Sequence, residues 1–119
     1  MATDDWPAEL RLSADRRVLT LVDGQGRTGE LPAEYLRVES PSAEVQGHGP
    51  DQRVLVGGKA RVAIARLEPV GNYAIRIVFD DGHDTGLYTF SSLAELARER
   101  EERWRRYLTA LAAQGLSRG

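Results

Sequence analysis

Hydrophobic and polar side chains alternate along residues 70–90 (VGNYAIRIVFDDGHDTGLYTF) in a way that predicts two neighbouring β-strands. Apolar side chains recur at every second position from Tyr73 to Phe79, and the alternation resumes at Leu87. Because successive side chains of a strand point to opposite faces, a period of two is typical of half-buried strands. The intervening stretch Asp80–Asp84 contains an Asp-Gly pair, which favours a tight hairpin turn. We therefore expect a central β-hairpin here.

The chain before this hairpin predicts further short strands, separated by turns of small and polar residues. Pro32 suits the first turn of a short helix, because proline has no N–H to lose there and its φ is already helical. The predicted elements are strands at 9–12, 17–22, 27–31 and 61–67, a short helix at 32–36, and turns at 13–16, 23–26 and 68–71.

The last thirty residues predict one long helix. Ser92 and Glu95 have the spacing of a capping box, and Gly115 is a natural helix end. Arg100 falls within the apolar stripe of this helix, so we expect its guanidinium to leave the stripe and pair with a carboxylate of the sheet. The stripe, which should pack on the sheet, comprises Leu93, Leu96, Ala97, Trp104, Tyr107, Leu108 and Leu111.

Strands followed by one amphipathic helix predict a single α+β domain over residues 1–119, a mostly antiparallel β-sheet with one long C-terminal amphipathic helix packed on it. We expect a core over about residues 8–114, with loose tails at 1–7 and 115–119. Proline, glycine and serine break the pattern at 39–58, which predicts a long loop with a minor strand near 54–56. Long loops in compact domains are usually functional or mobile.

Composition narrows the class of protein. The 119 residues carry a net charge of −2 and include no cysteine. Disulfides, thiolate metal sites and cysteine nucleophiles are thereby excluded, and we expect a cytoplasmic location. Apolar stretches are far shorter than a membrane span, and glutamates alternate with the arginines of the helix, so we expect neither a membrane nor a nucleic-acid partner. We expect a monomer or weak dimer.

Two polar segments carry the candidate chemistry. Imidazole and carboxylate groups suit a divalent metal such as iron or zinc. His83 lies among the aspartates of the hairpin turn, and His48 with Glu44 could complete the ligand set from the long loop. The alternative is structural, because aspartates commonly cap tight turns and His48 between two glycines serves equally well in loop packing. Neither a nucleophile elbow nor a complete phosphate loop is present, so we expect no enzyme activity. The candidate metal ligands are His83, His48, Asp80, Asp84 and Glu44, and the candidate partner-binding residues are Glu44, Gln46, His48, Asp81 and His83.

Several motifs occur in an order that resembles a known family. They are LR at 36–37, SPSAE at 40–44, QGHG at 46–49, GNYA at 71–74 and FDDGHDTG at 79–86. The chain resembles the gamma-butyrobetaine hydroxylase-like N-terminal domain family over roughly residues 8 to 112. Small stand-alone bacterial members of that family form a domain of unknown function.

The resemblance implies a compact α+β domain that is not itself catalytic. In carnitine-pathway dioxygenases a similar domain precedes the Fe(II)- and 2-oxoglutarate-dependent barrel and binds a structural zinc through three cysteines and a histidine. Those positions fall here at Ser40, Ser42, Val45 and His83. Because serine is a poor zinc ligand and valine is none, the resemblance does not carry the zinc over. The catalytic barrel has no room in 119 residues.

A similar domain is also appended to plastid P-loop proteins that handle iron–sulfur clusters, which implies an accessory role in metal or cluster chemistry by association. The first hypothesis is accordingly a non-enzymatic binding or adaptor domain. The second is a weak metal-binding protein with histidine and carboxylate ligands. Both hypotheses require the long loop and the hairpin turn to come together in the fold.

Overall fold

The protein forms two three-stranded antiparallel sheets and three helices within residues 9–39, 57–82 and 86–118, which this computed structural model describes. The predicted α+β class is confirmed. The strands are β1 Glu9–Leu12, β2 Val18–Val22, β3 Thr28–Pro32, β4 Ile64–Val70, β5 Ala74–Phe79 and β6 Gly86–Thr89, and the helices are α1 Ala33–Val38, α2 Phe90–Arg98 and α3 Arg100–Ala113.

The first sheet has the order β1-β2-β3 and contains the predicted hairpins. The turn between β2 and β3 is built by Asp23, whose Oδ1 accepts the N–H groups of Gln25 at 2.8 Å and Arg27 at 2.9 Å. Gly26 has a φ of 83°, a left-handed conformation that glycine adopts without steric cost. Local turn chemistry at the predicted turn thus fixes the register of β2 against β3.

The second sheet has the order β4-β5-β6. The predicted turn at 68–71 is wrong, because β4 continues through Pro69 to Val70 and the chain turns at 71–73. β4 is an edge strand, where a proline can be accommodated because one side of the strand has no ladder to break. Gly71 supplies the turn with a φ of 57°.

The two sheets are joined through Arg16. The carbonyl oxygen of Arg16 accepts the N–H of Ile64 at 2.7 Å, and its Nη1 donates to the carbonyl oxygen of Ala65 at 2.7 Å. Among the described residues Arg16 is the only non-glycine with a positive φ, 61°. The left-handed conformation costs about 1 kcal/mol, and the two hydrogen bonds to the start of β4 offset it.

The helical region begins earlier than predicted and is interrupted. Thr89, rather than Ser92, is the N-cap, and its hydroxyl oxygen accepts the N–H of Ser92 at 3.0 Å. Instead of one long helix there are α2 and α3, separated at Glu99, which has φ −103° and ψ 14°. In an uninterrupted helix the Leu96 carbonyl would accept the N–H of Arg100. Here it accepts the hydroxyl of Tyr35 at 2.8 Å.

The end of α3 matches the sequence prediction. Gly115 has a φ of 69° and its N–H bonds the carbonyl oxygen of Ala112, while the N–H of Leu116 bonds that of Leu111 at 2.8 Å. This is a Schellman motif, in which a left-handed glycine lets the chain satisfy the last helical carbonyls.

The core lies between the sheets and the helical region. The helix stripe is buried as predicted at Leu93 and Leu96, but Leu108 is 38% exposed, which corrects its assignment to the stripe. Tyr107 and Leu111, which also follow the interruption, are buried as predicted. The hydroxyl of Tyr88 donates to the carbonyl oxygen of Leu36 within the core. The fully buried large side chains are Tyr35, Tyr88, Phe79, Leu19, Leu31, Leu36, Ile64, Ile77 and Leu93.

Arg100 reaches the sheet, but its partner differs from the prediction. Its Nη1 donates to the main-chain carbonyl oxygen of Glu30 at 2.8 Å instead of pairing with a carboxylate. Glu30 lies on β3, an edge strand whose outer main-chain groups have no strand partner within the described sheet. Within the described ranges, none of the helices combines the length and the apolar character needed to cross a membrane.

Candidate functional site

Three charged side chains meet at the hairpin turn between β5 and β6. The Oδ2 atom of Asp81 lies 2.9 Å from Nε of Arg37 and 2.6 Å from Nζ of Lys59. We call Arg37, Lys59 and Asp81 the charge cluster. Arg37 is on the last turn of α1, Lys59 precedes β4, and Asp81 follows β5. Three separate elements therefore position the charge cluster.

The charge cluster is largely shielded from water. The side chains of Arg37, Asp81 and Lys59 are only 12%, 18% and 24% exposed. The Nη1 atom of Arg37 is buried and has no hydrogen-bond partner among the described residues. Removing three charges from water is costly, so ion pairs of this kind are weak evidence for net stability. What the cluster does establish is that α1, the segment before β4 and the turn after β5 meet at one carboxylate.

The neighbouring Asp80 has a structural contact. Its Oδ1 accepts the N–H of Ala63 at 3.0 Å, and its own N–H donates to the carbonyl oxygen of Ala63 at 2.9 Å. The adjacent aspartates of the turn are thus used differently, because Asp80 pairs with the main chain before β4 and Asp81 pairs with side chains. Asp80 contacts a second element, whereas sequence reasoning considered capping within the turn and metal ligation.

The other candidate residues cannot be compared with the geometry. Glu44, Gln46, His48, His83 and Asp84 lie outside the described residues, and so do the positions 40, 42 and 45 and the minor strand expected near 54–56. Within 9–39, 57–82 and 86–118, no three histidine, cysteine, aspartate or glutamate side chains gather in an arrangement that could hold a metal ion. The histidine-based metal site stays a prediction.

The charge cluster includes residues from both flanks of the long segment 40–56. Arg37 lies three residues before this segment, Lys59 lies three residues after it, and both contact one carboxylate. That carboxylate belongs to Asp81, two residues before His83. The flanks of both candidate segments therefore converge on one point, although they are 44 residues apart along the chain from Arg37 to Asp81.

A second ion pair fixes the start of the same segment. Nη1 of Arg103 lies 3.0 Å from Oε1 of Glu39, and its Nε lies 2.8 Å from Oε1 of Glu99. Burial by itself lowers the pKa of Arg103, but the carboxylates of Glu99 and Glu39 outweigh it and raise that pKa above its usual value. The guanidinium therefore stays charged, and it ties the residue before position 40 to α3.

Sequence reasoning found Asp81 but missed Arg37, Lys59 and Glu39. The available signal was position, because all three are charged residues at the ends of the stretch in which the periodic pattern disappears. Charge at the ends of a long unpatterned segment is weak evidence by itself. Only the fold shows that these ends meet.

A family profile described as "Gamma-butyrobetaine hydroxylase-like, N-terminal" matches residues 10–94. Two proteins with solution NMR structures are 48% and 44% identical, and each superposes with a TM-score of 0.80. Those alignments cover 95% and 99% of this chain and 89% of each of those chains.

A crystal structure from Acidithiobacillus ferrooxidans ATCC 23270 is described as a protein with unknown function of the DUF971 family. It is 33% identical, with a TM-score of 0.66, and the alignment covers 82% of this chain and 98% of that chain. No curated protein sequence matches the chain.

Proposed function

This chain belongs to the gamma-butyrobetaine hydroxylase-like N-terminal domain family, and we propose that it is a non-enzymatic binding or adaptor domain. The proposed contact surface, called the turn surface, combines the segment 40–56 with the β5–β6 turn. Its contact residues are Glu44, Gln46, His48 and His83, and Asp81, whose carboxylate is engaged by Arg37 and Lys59, supports them.

The observation that carries this proposal is the shared carboxylate of Asp81. Arg37 and Lys59 both contact it, so the two ends of the segment 40–56 are fastened to the turn that leads to His83. Such a shielded arrangement is costly in desolvation, and a fold that retains it gains a fixed position for the segments that it joins. Binding residues are commonly carried by loops that a rigid scaffold positions in this way.

The chemistry of the turn surface favours a polar partner. Imidazole and amide groups can both donate and accept hydrogen bonds, carboxylates accept them, and a polar rim of this kind gives specificity more than bulk affinity. We propose that the partner belongs to metal or iron–sulfur cluster metabolism. This part rests on the association of the family with such proteins and not on any contact described above.

The test is capture of partners from a native lysate by the tagged full chain, with quantitative mass spectrometry. We expect a defined protein to be enriched by the wild type and lost with His48→Ala/His83→Ala. The matched control is Gln25→Ala/Gln114→Ala, because both glutamines are exposed polar residues that are not members of the turn surface. The melting temperature of the histidine variant should stay close to that of the wild type. Intact capture together with a large loss of stability would overturn the proposal.

The metal-binding alternative is tested on protein purified without a histidine tag. Elemental analysis is followed by titration with Zn(II), Fe(II) and Mn(II), observed through the ring resonances of His48 and His83. If metal binds there, the affinity should fall below about pH 6, because imidazole must be neutral to act as a ligand. An absence of bound metal and of shifts at about millimolar concentrations would exclude a metal role for these histidines.

A further inference from the structure

A buried carboxylate on α1 is paired with an arginine from the other end of the chain. The side chain of Glu34 is only 7% exposed. Nη2 of Arg118 lies 2.7 Å from its Oε1, and Nε of Arg118 lies 3.0 Å from its Oε2. The guanidinium therefore grips both oxygens of the carboxylate, which is the strongest arrangement of such a pair.

The same arginine is held by an aromatic face. Its Cζ lies 5.4 Å from the centre of the Trp104 ring, within the range of a cation–π contact. Trp104 is itself fixed by two tyrosines, with ring centres 6.3 Å away at Tyr35 and 5.2 Å away at Tyr107. Carboxylate and aromatic face are therefore both parts of the packed domain.

The main chain of the 116–118 segment is also recognised. The N–H of Gly58 donates to the carbonyl oxygen of Ser117, and the N–H of Ala60 donates to that of Arg118, each at 2.9 Å. At Gly57 a Cβ atom would lie 2.9 Å from the carbonyl oxygen of Ser117, so a side chain there would block this approach. The sequence led us to expect a loose tail at 115–119, and it gave no sign of these hydrogen bonds.

We propose that Glu34, Trp104 and the N–H groups of Gly58 and Ala60 form an arginine site, which binds an extended partner segment carrying an arginine. The 116–118 segment occupies this site within the same chain. An incoming segment would replace Arg118 with its own arginine and accept the two N–H groups with its own carbonyl oxygens. The occupant is thus a protein segment whose chemistry is that of residues 116–118.

Glu34 and Arg118 differ in exposure, and this difference makes the 116–118 segment exchangeable for another segment. Glu34 is buried, whereas the side chain of Arg118 is 51% exposed and every residue from 112 to 118 is exposed. An unpaired buried carboxylate is strongly unfavourable, so the 116–118 segment leaves only when another cation takes its place. A planar guanidinium fits both the carboxylate and the indole face, and a lysine ammonium fits neither as well.

The arginine site shares no member with the turn surface, although Gly58 and Ala60 flank Lys59 of the charge cluster. The two proposals have different readouts, which are peptide binding at Glu34 and partner capture through His48 and His83. The further proposal can therefore fail while the proposed function stands, and the reverse also holds.

The test uses the full chain with Arg118→Ala and a synthetic peptide, Gln-Gly-Leu-Ser-Arg-Gly, capped at both ends. Binding is followed through the amide resonances of Gly58 and Ala60 and the indole resonance of Trp104. We expect saturable shifts in Arg118→Ala and at least about tenfold weaker binding to the wild type, because the tethered Arg118 competes at an effective concentration in the millimolar range. A peptide with lysine in place of arginine should bind about tenfold more weakly.

The matched control is Glu34→Gln/Arg118→Ala, which keeps the shape of the site and removes its charge. It should not bind the arginine peptide. A folded Arg118→Ala that shows no shifts up to about 10 mM peptide would overturn the proposal, as would equal binding of the lysine peptide or of the control variant. If Arg118→Ala does not fold, the titration uses Arg118→Lys, which leaves a weaker competing cation in the site, and the absence of shifts at Gly58 and Ala60 there refutes the site. Dimers that form without peptide and disappear with Glu34→Gln would assign the site to a second copy of this chain, against the proposal.

Discussion

Replacing Tyr35 with phenylalanine isolates one hydroxyl group at the interruption between α2 and α3. The ring is 1% exposed and packs edge-on against Trp104, and phenylalanine would keep both features. What disappears is the hydrogen bond from the Tyr35 hydroxyl to the Leu96 carbonyl oxygen. A buried carbonyl left without a partner costs about 1–3 kcal/mol. We expect Tyr35→Phe to lower the free energy of unfolding by about 1–2 kcal/mol.

The assay is urea denaturation followed by circular dichroism, with thermal unfolding alongside. For a domain of this size the expected loss corresponds to a fall in melting temperature of roughly 4–8 °C. The control is Tyr73→Phe, because Tyr73 is 46% exposed, and its change should stay within about 0.5 kcal/mol. A loss below about 0.5 kcal/mol for Tyr35→Phe would refute the reasoning.

Hydrogen exchange separates two ways in which the prediction could fail. If the helix closes when the hydroxyl is removed, the Leu96 carbonyl accepts the N–H of Arg100, and that amide becomes protected. A small loss of stability with a newly protected Arg100 amide would mean that Tyr35 causes the interruption. A small loss without this protection would mean that the hydroxyl has no structural part in it.

The same variant changes the response to alkaline pH. Burial raises the pKa of Tyr35 from 10.0 to about 12, and the negative charge of Glu39 adds to the shift. The unfolded chain therefore loses this proton first, so the stability linked to Tyr35 is complete below pH 10 and is lost as the pH rises toward 12. Tyr35→Phe should lose less stability than the wild type between about pH 10 and pH 12. Burial also raises the pKa of Tyr107, helped by Glu34, so part of the alkaline loss should remain.

Three further predictions concern single side chains. Arg16→Gly should be more stable than Arg16→Ala by about 1 kcal/mol in urea denaturation, since only glycine relieves the positive φ, and equal stabilities would contradict this. Arg100→Met should lower the free energy of unfolding by about 1 kcal/mol, because the hydrogen bond to the Glu30 carbonyl oxygen is lost. The control Arg106→Met should change it by less than about 0.5 kcal/mol. Equal effects would mean that the Arg100 side chain only extends into water. The N–H of Gln25, assisted by Arg27, lowers the pKa of Asp23. The Asp23 carboxylate therefore contributes to folding stability above pH 3.8, and this contribution is lost as the pH falls through the lowered pKa. A carboxyl NMR titration midpoint at or above 3.8 would contradict this.

Local sequence signals predicted most of the fold. Alternation located the strands, Asp23 and Gly26 marked a turn, and Gly115 marked the end of α3, because each depends on neighbours within a few residues. The interruption at Glu99 could not be found in this way. At the interruption the carbonyl oxygen of Leu96 accepts a hydrogen bond from the hydroxyl of Tyr35, which lies 61 residues away along the chain.

The candidate site shows the same division between local and distant information. Asp81 stood out because it belongs to an Asp-Gly turn. Arg37 did not, because its partner lies 44 residues away and nothing in a single sequence pairs them. Pro69 misled for a related reason, since its tolerance depends on β4 being an edge strand, which is a property of the sheet order.

The contacts of Arg37 and Lys59 with Asp81 have a consequence for how the segment between them can be replaced. Because Arg37 and Lys59 contact the same carboxylate, the chain on either side of residues 40–56 is held at one point. Doubling the length of a flexible loop adds only about 0.6 kcal/mol to its closure cost. A foreign peptide inserted between these two cations should therefore leave both contacts with Asp81 in place, which would make the domain a small display scaffold.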